Sequence, residues 1–328
     1  MSLAEFIYTE ILKPKPLKAL VNRVLLRIVP ECLQVGPAKL YLDPSDPVVS
    51  GALTLAVFEP SELVFFQKHF CGTGTFVDIG ANIGLYTALG MHQLDGNSRI
   101  VAFEPHPGTF QFLERNIAVN RDEPETCPHV DALNLAAAPE RATLHLRLNP
   151  ENRGDNRLYQ GTYQGRIEQW ETLPIQAVPV DEALAELGIR EVNFVKIDIQ
   201  GYEEKAIRGF QQTLARSENI LLMSEFWPKG LREAGGSAET YLAMLCDLGF
   251  RLYELKEKPR GALQPLGDWQ TFIQRLPGRK YTNIVGVKGA ASCCQTDERH
   301  EFRAKTRIAG CFFVEFVSFM AERRSSTF

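Results

Sequence analysis

No run of roughly 18 apolar residues occurs in the 328-residue chain, so it offers no segment suited to crossing a bilayer as a helix. Nor does one sign of charge dominate. Thirty-six basic against 40 acidic side chains give a formal net charge of −4, which argues against a strongly basic nucleic-acid-binding surface. The opening residues, MSLAEFIYTEILKPKP, lack a basic stretch followed by an apolar one, so they do not read as a secretory leader. Seven cysteines, odd in number and without a CxxC spacing, suit reduced thiols better than a disulfide framework and give no zinc pattern. No repeat with a period of about 20–50 residues is visible. What is present is ordinary globular composition, 45% hydrophobic and 23% charged, enough to bury a core and against wholesale disorder. These features lead to the expectation of a cytoplasmic protein without stable membrane insertion.

Residues 1–30 place Leu17, Leu20, Val21, Val24, Leu25 and Ile28 at helical spacing with Lys15, Lys18, Arg23 and Arg27 between them. Such a basic amphipathic helix either packs on a main domain or lies on a membrane surface, and two carboxylates and two prolines favour packing. The segment ELVFFQKHF reads as a helix capped by Ser61. From residue 75 onward, short apolar runs (TFVDIG, RIVAFEP, HVDALNLAA, VNFVKIDI, NILLMSEF) alternate with helical patterns such as YEEKAIRGFQQTL. That alternation predicts a mostly parallel sheet with helices on both faces. The expected division is an extension over 1–70, a ligand-binding α/β domain over 71–289, and a tail over 290–328.

FVDIGANIG sets Asp78, Gly80, Asn82 and Gly84 where a buried strand turns into a helix. Glycine there permits a tight turn and a close approach of ligand or backbone. Asn82 stands where a dinucleotide fingerprint has its middle glycine, and Asp78 adds a negative charge where a pyrophosphate prefers none. A carboxylate suits a ligand with a cationic end, such as the amino-acid part of S-adenosylmethionine (SAM). Glu104 ends the next strand about twenty residues later, the position from which a carboxylate accepts from both ribose hydroxyls. An NAD(P)-dependent oxidoreductase on the same kind of sheet is the second reading, with Asn82 against it; a non-catalytic scaffold is the third.

Lys196 and Asp198 interrupt the apolar run VNFVKIDI and, two residues apart, share one face of the strand. A lone buried charge costs several kcal/mol, so the two are expected to be paired or ligated. Glu225, at the end of NILLMSEF, adds a carboxylate at the same rim. Trp227 is either a core aromatic or a wall of an acceptor pocket, and His106 reads as a helix-start residue. The carboxylates form no legible oxygen-ligand set, so no metal is expected.

Together, DIGANIGLYT, AFEPHP, VKIDIQGYE and SEFWPKGLREAG resemble the FkbM-type SAM-dependent methyltransferases of the class I, Rossmann-like fold, over roughly residues 48–288. The resemblance implies a seven-stranded sheet whose last strand is antiparallel. It implies methyl transfer from SAM, typically to a hydroxyl oxygen of a carbohydrate-like or other small acceptor. Asp78, Gly80, Asn82, Gly84, Glu104 and Pro105 match its cofactor motifs. Lys196, Asp198, Gly201 and Glu203 match its KIDVEGxE segment, with Gln200 where the family usually has Glu. An alcohol ionises too weakly to react unaided, so a base should take its proton. Asp198 is the first candidate for base or hydroxyl-orienting group and Glu225 the second, with Lys196 holding the carboxylate ionised. Residues 37–70, 149–172 and 227–236 are expected to shape the acceptor pocket.

Overall fold

The computed structural model describes residues 29–44, 46, 49–54, 56, 58–121, 127–149, 153–158 and 170–289. The expected basic helix near residues 17–28 and the tail over 290–328 lie outside the described residues. A hairpin, β1 (Cys32–Val35) and β2 (Ala38–Tyr41), precedes helices α1 (Val49–Thr54) and α2 (Pro60–His69). Next come β3 (Thr75–Ile79), α3 (Leu85–Gln93), β4 (Arg99–Phe103), α4 (Pro107–Val119) and β5 (His129–Leu133). Four strands follow: β6 (Ala136–Ala137), β7 (Ala142–Arg147), β8 (Arg157–Leu158) and β9 (Thr172–Val178). The chain continues through α5 (Val180–Glu186), β10 (Phe194–Ile197), α6 (Glu203–Arg208), α7 (Gln211–Arg216), β11 (Ile220–Phe226), α8 (Pro228–Glu233) and α9 (Ala238–Asp247). It closes with β12 (Arg251–Lys256), β13 (Ala262–Pro265), α10 (Trp269–Gln274) and β14 (Thr282–Lys288).

The main sheet has the order β13-β12-β14-β11-β10-β3-β4-β5. Strands β11, β10, β3, β4 and β5 run parallel, and β14 lies antiparallel between β11 and β12. The sheet therefore has eight strands where seven were expected; the additional one, β13, is the hairpin partner of β12 at the edge. Both faces are covered. Val77, Ile79, Val101, Phe103, Ile197 and Leu222 belong to one apolar core, and Phe76, Ile100, Ala102, Leu221 and Met223 to another. That is why the central strands read as near-continuous apolar runs. Strand order reverses between β3 and β10, where open sheets of this kind bind ligands at the carboxyl ends of the strands.

Several local expectations are corrected. HVDALNLAA is two strands rather than one, because Asn134 turns the chain and β6 leaves for a separate four-stranded sheet of order β6-β9-β7-β8. YEEKAIRGFQQTL is two helices, broken at Gly209, where a Cβ would lie 2.1 Å from the Ala138 carbonyl oxygen. Helix α2 starts at Pro60 with Glu59 ahead of it, so Ser61 is inside the helix rather than its cap; proline is well suited to that first position because its missing N–H is not needed there. Asp181 accepts from the Gln212 and Thr213 N–H groups and so caps α7. Cys32, Cys127 and Cys246 are free thiols, whereas Cys71 is disulfide-bonded, a departure from seven reduced thiols.

The hairpin ahead of the main sheet is pinned by two asparagines one turn apart, Asn116 of α4 and Asn120 at its C-terminal cap. Asn116 accepts from Tyr41 N–H at 2.6 Å and donates to the Tyr41 and Ile83 carbonyls at 3.0 and 2.7 Å. Asn120 exchanges the same pair of bonds with Lys39. Each amide thus takes the place of a neighbouring strand along β2. Asn116→Ala leaves three backbone groups without these partners, and a loss of about 2–4 kcal/mol is expected. Urea denaturation checks this; a loss below about 1 kcal/mol would show that the hairpin is held by packing alone.

Candidate active site

The turn after β3 is built so that its own backbone uses its donors. Gly80 and Ala81 N–H both donate to the Phe103 carbonyl, Asn82 N–H to Glu104 Oε2 at 3.0 Å, Ile83 N–H to Asn82 Oδ1, and Gly84 N–H to the Ala81 carbonyl. No N–H from residue 80 to residue 84 is left to cradle a phosphate. Gly80 has φ +83°, and a Cβ on it would stand 2.0 Å from the Asp198 carbonyl oxygen. Its first task is therefore the close approach of two turns rather than of a ligand. Asn82 occupies the left-handed region at φ 53°, which asparagine tolerates better than most residues.

An open cleft starts at this turn. Ile79, Gly80, Asn82, Phe103, Glu104 and Pro105 line one part of it, Leu135, Ala136 and Ala137 another, and Asp198, Ile199 and Gln200 a third. Leu146 and Leu158 of the small sheet line a further part, with Thr109, Gly154 and Asn156 completing the lining. Glu104 accepts from Asn82 and His106 N–H, so the carboxylate is fixed in orientation while keeping lone pairs for further donors. Burial pushes its pKa up to about 7, and those two backbone hydrogen bonds pull the other way. His106 opens α4, its Nδ1 accepting from Thr109 N–H, as a helix-start residue should. Of the cofactor residues expected from sequence, Gly80, Asn82, Glu104 and Pro105 reach the cleft. Asp78 and Gly84 lie behind its wall: Asp78 is fully buried, with Oδ2 on the Thr87 hydroxyl, and Gly84 packs under Leu113. An apolar slot beside an acceptor carboxylate fits an adenosine; the spent N–H groups do not fit a pyrophosphate.

Behind the cleft, on the face of the sheet that carries Asp78, carboxyl groups gather around one cation. Lys196 Nζ is buried 3.5 Å from Asp198 Oδ2 and 4.5 Å from the centre of the Tyr86 ring. Burial alone lowers a lysine pKa, but Asp198, Glu59, Asp78 and Glu225 outweigh it, so Lys196 titrates above its ordinary value and stays charged. Gln200 donates its amide to Asp198 Oδ1 at 3.0 Å and towards Glu225 Oε1 at 3.4 Å. A glutamate in its place would set a third negative charge against those two. Glu225 is buried, and its pKa is driven well up by burial and then by the charge of Asp198. Glu203 fixes the turn itself: one oxygen accepts from Ile199 and Gly201 N–H, which orients Asp198 and Gln200.

The structure thus brings Lys196, Asp198 and Glu225 together as expected, and it adds residues the sequence did not mark. Glu59 Oε2 accepts from the Tyr86 hydroxyl at 2.6 Å. Glu62 of α2 accepts from Asn283 of β14. Tyr281, 60% exposed, stands near enough to Glu225, Glu59 and Asp198 for their charges to oppose its ionisation, after burial on its inner side. Nothing local marks these residues, because α2, α3 and β14 meet only in the folded chain. Trp227 is buried under Arg157, whose guanidinium stacks 4.4 Å from the indole and pairs with Asp155 and Glu233. It therefore stiffens the rim rather than offering an open wall. Among the described residues no group of three or more His, Cys, Asp or Glu side chains is arranged to hold a metal ion, and no helix is long and apolar enough to cross a membrane.

A mostly parallel sheet with an apolar cleft, an acceptor carboxylate and no phosphate cradle at its switch point is the Rossmann-like, class I methyltransferase design. The sequence matches the family described as "Methyltransferase FkbM domain" over residues 78–252, more than half of the chain. The chain belongs to the FkbM methyltransferase family, and its methyl donor is SAM. It is 27% identical over 180 residues to "Methyltransferase sdnD" of Sordaria araneosa, covering 48% of this chain and 68% of that protein. It is 28% identical over 147 residues to "Methyltransferase 1" of Beauveria bassiana, covering 40% and 57%. A solved FkbM methyltransferase from Methylobacillus flagellatus aligns over 82% of this chain and 58% of its own, at 14% identity and a TM-score of 0.38. The chain spans less than two thirds of the last two proteins.

Proposed function

We propose that the protein methylates a hydroxyl oxygen on a small-molecule or glycan acceptor of carbohydrate-like character in the cytoplasm. The observation that supports this best is that Asp198 and Gln200 line the nucleoside cleft and also belong to the carboxylate cluster. An acceptor hydroxyl at that turn lies beside the cofactor and among groups that accept its proton. When bound, SAM supplies an electrophilic methyl carbon on a positively charged sulfur. Phe103, Pro105, Leu135 and Ala136 would flank its base and Glu104 its ribose, with Gly80 and Asn82 at the amino-acid end.

The chain's own part is orientation, exclusion of water and handling of a proton. Asp198 receives Gln200 on one oxygen and Lys196 on the other, so its position is set before the acceptor arrives. It is the group that aims the acceptor hydroxyl. Lys196 is its cationic partner, and Glu225 accepts from the same Gln200 amide nitrogen. The test is incubation with methyl-labelled SAM and a panel of glycosides and other hydroxylated small molecules. Asp198→Asn should lower methyl transfer by about 100-fold or more while calorimetric affinity for SAM changes by less than about threefold. Full turnover in that variant rejects the assignment.

A further inference from the structure

We infer that Glu59, on the extension ahead of the matched family segment, is the residue that takes the acceptor's proton, through an Oε1 left open while the Tyr86 hydroxyl holds Oε2. This inference rests on the proposed O-methyl transfer.

Three carboxylates compete for the task. Asp198 already has Gln200 on Oδ1 and Lys196 beside Oδ2. Glu225 shares Oε1 with Gln200, and its Oε2 is sealed from solvent without a partner. Glu59 is half-buried, and among the described residues the one hydrogen bond of its carboxylate is that from Tyr86 to Oε2. Its backbone is also unusual. Glu59 precedes α2 at φ 40° and ψ 54°, left-handed for a residue with a side chain, and that side chain makes no capping bond to the helix. Such a conformation costs about 1–3 kcal/mol and persists where the surroundings impose it, often at working sites. Here it turns the carboxylate away from the helix end and onto Tyr86. Among the described residues, three of the four non-glycine positions with positive φ (Glu59, Asn82 and Gln200) surround the site.

The groups that bear on Glu59 come from every element around it: Tyr86 of α3, Lys196 of β10, Asp198 in the turn after it, Glu225 of β11, Tyr281 ahead of β14, and Glu62 on its own helix. Burial pushes Glu59 up to about 8; Lys196 and the Tyr86 hydrogen bond lower it, and Asp198 and Glu62 raise it. A base works best when its pKa lies near the operating pH. As the acceptor oxygen bonds the methyl carbon, the carbon–sulfur electron pair stays with sulfur and the hydroxyl proton passes to Glu59 Oε1. The products are a methyl ether, S-adenosylhomocysteine and a protonated Glu59, which returns its proton to solvent.

Infrared titration of the full chain reads this proton without any acceptor. The wild type should show a carboxylic-acid band that disappears with a midpoint near pH 8. The band should be missing in Glu59→Gln and should titrate at higher pH in Tyr86→Phe, because the lost hydrogen bond stabilised the ionised form. With an acceptor from the panel above, Glu59→Gln should lower kcat by about 100-fold or more with KM and SAM affinity changed by less than about threefold. Wild-type kcat should fall roughly tenfold per pH unit below the midpoint, and that limb should move upward in Tyr86→Phe. An infrared difference between wild type and Glu59→Gln that contains no component titrating near pH 8, or a Glu59→Gln enzyme with wild-type kcat, overturns the inference and leaves O-methyl transfer standing. A wild type that binds SAM and methylates no hydroxyl in the panel overturns the reaction, and this inference with it.

Discussion

Lys196→Met should lose roughly 3–5 kcal/mol of folding stability at pH 9, the scale on which removing one partner strands a buried charge, and much less at pH 5. The methionine keeps most of the volume and removes the positive charge that faces Asp78, Asp198, Glu59 and Glu225. Asp78, Glu59 and Glu225 titrate above their ordinary values, desolvation being the first cause in each. A carboxyl raised in the folded state favours folding below its unfolded pKa and loses that contribution as pH rises through the folded pKa. Lys196 lowers all three folded values, so withdrawing it raises them further and steepens the loss on the alkaline side. Denaturant midpoints at the two pH values give the measurement. Equal losses at both would show that the lysine contributes packing and not charge.

Gly80→Ala should bind SAM at least tenfold more weakly and lose about 2–4 kcal/mol of stability. Two independent effects act there: φ of +83° is unfavourable for alanine, and the new methyl meets a backbone oxygen at 2.0 Å, which no side-chain rotation relieves. Gly72 isolates the first effect. Its φ is +91°, but a Cβ on it meets nothing within 4 Å. Gly72→Ala should therefore cost only the conformational share, about 1–2 kcal/mol, with SAM affinity intact. Calorimetric titration and thermal melts of both variants separate the two. If they behave alike, the approach of the β3 turn to Asp198 does not shape the cleft.

The legible part of this molecule was its central strands. Asp78, Lys196 and Glu225 stand out because charge inside an apolar strand has to be compensated, and alternation along a strand fixes the face each one occupies. The glycine turn announced the ligand class for a similar reason: Asn82 and Asp78 are poorly suited to a phosphate wherever the chain places them. What stayed hidden depends on contacts between distant segments. Glu62 and Asn283 meet across 221 positions, and Glu59 becomes notable only when Tyr86 and Lys196 are beside it. The small sheet was missed because β5 and β6 read as one apolar run, and Asn134 becomes a turn residue only by donating to the Glu104 and Pro105 carbonyls. Asp181 likewise acts at a distance, capping a helix some thirty residues further along the chain instead of its own.

The cleft is lined by Ile79 and Phe103, whereas Lys196 and its carboxylates hang from the other side of the same strands. Only the Asp198–Gln200 bend is common ground. A bisubstrate inhibitor for this protein therefore needs an elbow in its linker, with the nucleoside arm and the acceptor arm set at an angle; a rigid rod joining the two would run into the sheet.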